Sequence, residues 1–190
     1  MASTPPGGGK GDWNGHTCTL SSLVLVSPAY TPGASITVPP GAVAAVPVEG
    51  GADGPVVVMV RQWRPVMRAF MLEIPAGKLD VPGEDPDDAM ARELAEEIQQ
   101  RPGRLVKLST FWNSPGFSTE LTHVYIALDL SPCDRPEAAK EEEQDMTIER
   151  FPLADTGRLV ATGEITDAKT IIGLALAERY LAGLEPEAGS

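Results

Sequence analysis

The stretch "GPVVVMVRQW", Gly54 to Trp63, is a near-continuous apolar run. A strand with apolar side chains on both of its faces must be covered on both faces. The chain therefore needs a layer above and a layer below whatever sheet contains this segment. With 190 residues it has enough length for one such domain and a small appendage.

The surrounding segments supply the layers. Residues 1–15, rich in Gly, Pro and Ser, read as a disordered tail. "CTLSSLVLV", "SITVPP" and "GAVAAVPVEG" are short extended pieces, too edge-rich to stand alone. "RAFMLEIP" is a strand that Pro75 stops. A helix follows, with Asp85 or Asp87 as its cap and Pro86 at its first position. Ala89, Leu94 and Ile98, with Ala91 and Ala95, form its apolar stripe, and it must end by "RPG", Arg101 to Gly103. "LVKLSTFW" and "LTHVYIALDL" are strands on either side of the turn-rich "NSPGFSTE". An acidic loop, "RPEAAKEEEQD", leads to the strand "MTIERFPL", and a last helix runs from about Asp167 to Leu181. This succession predicts an α/β (α+β) fold, a mixed sheet sandwiched between helices with a small N-terminal antiparallel sheet. The expected units are the tail 1–15, the small sheet 16–47 and the main domain 48–184.

Charge and cysteine content exclude several functions. A net charge of −12 argues against a nucleic acid polymer as partner, because phosphate backbones want a basic stripe. A small phosphorylated ligand is compatible, since a divalent cation can neutralise carboxylates and phosphates together. Cys18 and Cys133 are far apart, and only His16 and His123 add soft ligands, so neither a zinc site nor a disulfide framework is indicated. No apolar run has the length of a membrane span, and the N-terminus lacks the apolar core of a signal peptide. A cytoplasmic protein is expected.

On the helix, Glu93, Glu96 and Glu97 stand at i, i+3 and i+4 and share one face. Two readings of that face are open. It is a solvated acidic surface in which Arg92 and Glu96 pair, or it is a site for magnesium, which takes hard oxygen ligands at about 2.0–2.1 Å. The helix alone cannot fill an octahedral shell, so water, substrate phosphates and backbone carbonyls of "PAG" would complete it.

The whole segment "PAGKLDVPGEDPDDAMARELAEE" decides between them. It resembles the signature of the Nudix hydrolases, with Gly77, Glu84, Arg92, Glu93, Leu94, Glu96 and Glu97 at the specified positions. Seven residues separate Glu84 from Arg92, as in the family. There are two departures. Six residues rather than five separate Gly77 from Glu84, so the turn must bulge. The glycine expected two places after Glu97 is Gln99, so the helix is expected to run on to "RPG".

"VRQWRPV", "LEIPAG", "NSPGFSTE" and "EEEQDMT" follow in the order found in the ADP-ribose pyrophosphatase-like subgroup, over roughly Val43 to Ala182. The resemblance implies Mg²⁺, with Mn²⁺ as a substitute, held by Glu93, Glu96, Glu97 and the Ala76 carbonyl. It implies substrate contacts by Arg64, Gly77 and Glu120, a general base in the late acidic loop, and AMP and ribose 5-phosphate as products. Glu142 is our choice of base, with Glu143 second; Arg92 is expected to orient a glutamate. A homodimer joined through the N-terminal sheet is also implied. The substrate left open is another nucleoside diphosphate sugar, such as ADP-glucose or GDP-mannose. A non-catalytic ADP-ribose sensor would lack helix glutamates that are all present here. Trp63, Trp112 and Phe117 read as core side chains, with purine stacking as the alternative role. His123 reads as a packed or hydrogen-bonded strand residue.

Overall fold

A computed structural model describes residues 12–13, 16–17, 23–25, 36–134 and 146–183. Two short antiparallel ribbons come first: β1 (Asp12–Trp13) with β2 (His16–Thr17), and β3 (Leu23–Leu25) with β4 (Ile36–Val38). The main sheet contains β5 (Ala42–Gly51), β6 (Gly54–Arg64), β7 (Ala69–Glu73) and β8 (Ala76–Lys78). Helix α1 (Pro86–Ile98) and the two-residue β9 (Gln100–Arg101) follow. The sheet then gains β10 (Arg104–Trp112) and β11 (Leu121–Leu128), and β12 (Ser131–Pro132) pairs with β9. β13 (Thr147–Pro152), a 3₁₀ turn, α2 (Thr156–Ala161) and α3 (Ala168–Leu181) complete the described chain. The strand order is β10-β11-β5-β6-β13, with β7 beside β6 and β8 beside β5. Only β11 and β5 run parallel among these neighbours, so the sheet is mixed, as expected.

Alternation along the strands assigns each side chain to a layer. Val43 and Ala45 of β5, Val58 and Val60 of β6, and Tyr125 and Ala127 of β11 pack against Ala89, Met90, Leu94 and Ile98 of α1. Their sequence neighbours Ala44, Val46, Val57, Met59, Val124 and Ile126 face Leu174 and Ala177 of α3, with Leu159 and Ile165. The apolar run of β6 is thus buried on both faces, as its composition required. Gly173 lets α3 approach closely: a Cβ there would lie 2.9 Å from Ile74 Cδ1 and 3.1 Å from Val46 Cγ2.

Two expectations are corrected. The segment "GAVAAVPVEG" is not part of a small N-terminal sheet. It forms β5, a ten-residue strand in the middle of the main sheet, and so crosses the boundary expected between residues 47 and 48. The segment was expected to be a short, edge-rich piece, yet residues 43–48, Pro47 included, are buried. Pro47 makes the last rung with β11, opposite Ala127, and the next residue, Val48, opens the pairing with β6 at Val57. The helix also stops earlier than expected. α1 ends at Ile98, and Gln99 takes a left-handed conformation (φ 56°) with its N–H donating to the Leu94 carbonyl. A glycine would adopt that conformation without strain. At the other end Asp85 is the cap, accepting from the Asp87 N–H at 2.9 Å, with Pro86 in the first turn. No helix among the described residues is long and apolar enough to cross a membrane.

Gln99→Gly should stabilise the fold by about 0.5–1 kcal/mol by relieving the left-handed side chain. Chemical denaturation of both proteins measures it; equal or lower stability would contradict the cap assignment.

Candidate active site

The site is built where α1 crosses β8. β8 lies beside the first residues of β5, with Val43 opposite Gly77 and Ala44 opposite Ala76. Gly77 has no side chain, and the space is occupied: a Cβ built there would stand 1.9 Å from Glu93 Cδ and 2.0 Å from its Oε1. Any other residue would therefore push the Glu93 carboxylate off the strand. One turn further along the helix, Glu97 is 7% exposed, and its Oε2 accepts the Ala76 N–H at 3.0 Å. Two helix carboxylates are thus held against the backbone of two consecutive strand residues.

Arg92 organises the outer side of this face. Its Nε and Nη2 donate to the two oxygens of Glu84 at 3.0 and 3.1 Å. Its Nη1 donates to Glu93 Oε1 at 2.8 Å and to Glu96 Oε2 at 3.2 Å. One guanidinium therefore gathers Glu84, Glu93 and Glu96, and the guanidinium hydrogen bonds hold the Glu84 carboxyl below its ordinary range. Glu93 differs. Burial raises its pKa above the ordinary value, and Arg92 offsets only part of that cost. With Arg92 seated among them, no three His, Cys, Asp or Glu side chains among the described residues converge as a ready-made ion cage.

The donor set nevertheless suits a hard divalent cation. All donors are oxygens, and Glu93 carries a buried charge that its neighbours do not fully compensate. Its carboxylate fills a recess that only a glycine strand leaves open. Glu93 and Glu97 would supply at most part of an octahedral shell, the remainder falling to water, backbone and ligand oxygens.

The sequence-derived substrate residues are placed less simply. Arg64, at the end of β6, is committed to Glu73: Nε and Nη2 each donate to a carboxylate oxygen at 2.7 Å. The fork expected to grip a ligand is thus spent on the protein, and Nη1 is the edge that remains without a partner among the described residues. Glu97 and Asp167 lie near enough to add to the rise in the Arg64 pKa that Glu73 causes. Glu120 stands just before β11, at the end of the sheet where Thr122, Ala42 and Lys78 form one row. Its carboxylate is latched to the Asn113 side chain, and Asn113 Oδ1 accepts from Thr122 Oγ1 at 3.0 Å. Glu142 and Glu143 lie outside the described residues. Trp112 and Phe117 are surface residues rather than core, at 54% and 57% exposure, while Trp63 packs edge-on against Phe70 at 5.3 Å. His123 meets Thr110 Oγ1 at 3.1 Å, and burial with the nearby Lys107 lowers its pKa.

Sequence reasoning missed a second cluster. Glu73 is 1% exposed and accepts from both Arg64 and Lys169. Lys169 also donates to Asp167, the N-cap of α3. A signal was present in "MLEIP", one acid flanked by apolar residues in a buried strand, which demands a partner. One partner, Arg64, lies nine residues away across the β6–β7 hairpin, but the other, Lys169, lies 96 residues away, which no local pattern can show.

A family model described as NUDIX domain matches residues 38–172. The chain belongs to the Nudix family. Within it, the chain is 39% identical over 142 residues to the ADP-ribose pyrophosphatase of Bacillus subtilis (strain 168), covering 75% of this chain and 72% of that one. It is 38% identical over 143 residues to the ADP-ribose pyrophosphatase of Mycobacterium tuberculosis (strain ATCC 25618 / H37Rv), covering 75% and 67% respectively. A solved structure, the crystal structure of ADP compounds hydrolase, superposes with a TM-score of 0.67 at 21% identity, covering 86% of this chain and 93% of that one. At that identity the likeness is one of fold.

The raised Glu93 pKa has a testable sign. The folded chain binds that proton more tightly than the unfolded one, so the charged group lowers stability at neutral pH. The penalty disappears as pH falls below the ordinary carboxylate pKa of about 4.3. In the Nudix chain stripped with chelator, Glu93→Gln should raise the melting temperature at pH 7 and lose the gain at pH 4. A melting temperature lowered at both values would show that the charge is not strained.

Proposed function

We propose that this Nudix hydrolase cleaves the diphosphate bridge of ADP-ribose with Mg²⁺, giving AMP and ribose 5-phosphate. What carries the reading is the seating of Glu93 in the recess at Gly77, beside Glu97 on the Ala76 N–H, in a chain 39% identical to an ADP-ribose pyrophosphatase. Glu93, Glu97 and the Ala76 carbonyl would hold the ion, with Glu96 in support. Bound there, a divalent cation supplies Lewis acidity and neutralises charge on the diphosphate.

The remaining steps fall to the protein's own groups. Arg92 fixes the Glu93 and Glu96 rotamers and spreads the repulsion of three neighbouring acids. Arg64 offers its Nη1 edge to an anionic oxygen of the diphosphate. Gly77, whose side-chain position is filled by Glu93, would meet the ligand through backbone atoms alone, and Glu120 would face it from the loop before β11. Glu142, or Glu143 in its place, takes a proton from the attacking water. Water oxygen bonds to one phosphorus as the bridging P–O bond breaks, and the bridging oxygen leaves with the other phosphate. Mn²⁺ is a reasonable substitute because it accepts the same oxygen donors. We also propose a cytoplasmic homodimer joined through the N-terminal strands, with twice the chain mass in light scattering.

Product analysis on a panel of ADP-ribose, ADP-glucose and GDP-mannose with Mg²⁺ tests the reading. AMP and ribose 5-phosphate should form fastest, and Glu97→Gln should lower kcat by about 10²–10³-fold with its fold retained. Preference for another sugar would move the substrate, whereas wild-type turnover by Glu97→Gln would remove the site.

A further inference from the structure

The cluster around Glu73 is not explained by the metal face. Glu73 ends β7, 1% exposed, where a carboxylate is costly unless cations reach it. Two do. Arg64 approaches from β6 with Nε and Nη2, and Lys169 approaches from α3 onto Oε2, the oxygen that Nη2 also uses. Burial alone would raise the Glu73 pKa, but these two cations outweigh it and hold the group below its ordinary range. Exposure of the side chains grades outward from Glu73 at 2% through Lys169 at 15% to Arg64 at 40%. Arg64 is therefore the member that reaches the surface.

Lys169 is itself fixed. Its Nζ donates to Asp167 Oδ2 at 2.9 Å, and the same oxygen accepts Thr170 N–H at 3.0 Å and Thr170 Oγ1 at 2.6 Å. Thr170 Oγ1 in turn accepts the Ile74 N–H at 3.0 Å. The first turn of α3 is thereby tied to the residue that follows Glu73. The arrangement pins one carboxylate from behind, and that carboxylate pins the guanidinium in front.

We infer that Lys169 is a positioning residue for diphosphate binding: through Glu73 it sets the plane of the Arg64 guanidinium and keeps its Nη1 edge turned outward to the ligand. The inference rests on the diphosphate reading of the site. Two physical effects act together. Lys169 shares the charge of Glu73 Oε2, so Arg64 is not fully neutralised by its own partner and keeps positive potential at Nη1. It also fixes the carboxylate that the planar fork must match, so the fork has one orientation. Without Lys169 the Arg64–Glu73 pair closes on itself and the ligand meets a neutral, mobile group.

Steady-state kinetics on ADP-ribose with Mg²⁺ in a double-mutant cycle tests this. Lys169→Met should raise KM about tenfold with kcat within about threefold, because the lost contact serves ground state and transition state alike. Lys169→Arg should recover KM to within about twofold. In an Arg64→Ala background, Lys169→Met should add nothing, since a residue acting through Arg64 has no further effect once Arg64 is gone. An unchanged KM in Lys169→Met, or effects that multiply in the double variant, would overturn the inference; a general loss of structure would also multiply. If Lys169→Met does not fold, Lys169→Gln goes through the same cycle. If the wild type hydrolyses no ADP-ribose, the substrate reading fails, and calorimetric binding of inorganic pyrophosphate then reads the same cycle. Coupling between Lys169 and Arg64 in that binding supports the inference, and additivity rejects it.

Discussion

The architecture of this Nudix chain turns on one close approach, the seating of the Glu93 carboxylate against the bare backbone of Gly77. A Cβ at that position would overlap the carboxylate by more than an ångström of ordinary contact distance. The approach fixes the distance between α1 and β8, and so the position of every other acid on the helix. Glu97 reaches the Ala76 N–H only because the helix lies this close. Arg92 then ties Glu93 to Glu96, its i+4 neighbour on the helix, and to Glu84 in the turn before it. The cost is a buried carboxylate whose charged form the fold disfavours. A site that must accept a cation is the usual place for such a cost.

The rest of the fold serves that contact from two sides. Apolar side chains of β5, β6 and β11 press α1 onto one face of the sheet, while α3 covers the other. The polar ties between α3 and β7 add a second clamp. Removing one partner from a buried ion pair of that kind typically costs about 3–5 kcal/mol. The two clusters of charge thus have distinct physical characters. Around Glu73 two cations share one buried carboxylate, whereas on the outer face of α1 the acids exceed the single arginine that gathers them.

Much of this was legible in the sequence because it is local. The α1 face follows from spacing at i, i+3 and i+4, its start from Asp85 and Pro86, and the two-faced burial of β6 from an unbroken apolar run. Where the chain departs from simple patterns, reading failed in physically clear ways. The short apolar piece before residue 48 suggested an edge, but it is a central strand that passes from β11 to β6 at Pro47 and Val48. Gln99 suggested a longer helix, but a left-handed cap can be forced on a non-glycine residue by the turn into β9. Trp112 and Phe117 looked like core because they are aromatic, yet both stand on the surface. Arg64 was legible as a site cation but not as the partner of Glu73 across the β6–β7 hairpin, and the Lys169 contact is made only by tertiary packing.

The proposed divalent-cation site joins the acid face of α1 to the Ala76–Gly77 backbone. Anomalous diffraction from crystals grown with Mn²⁺ and a non-hydrolysable ADP-ribose analogue reads it directly. A scattering peak is expected among Glu93, Glu97 and the Ala76 carbonyl, next to the analogue's phosphates. A bound analogue with no ion at that face, and Glu93 still paired only with Arg92, would contradict it.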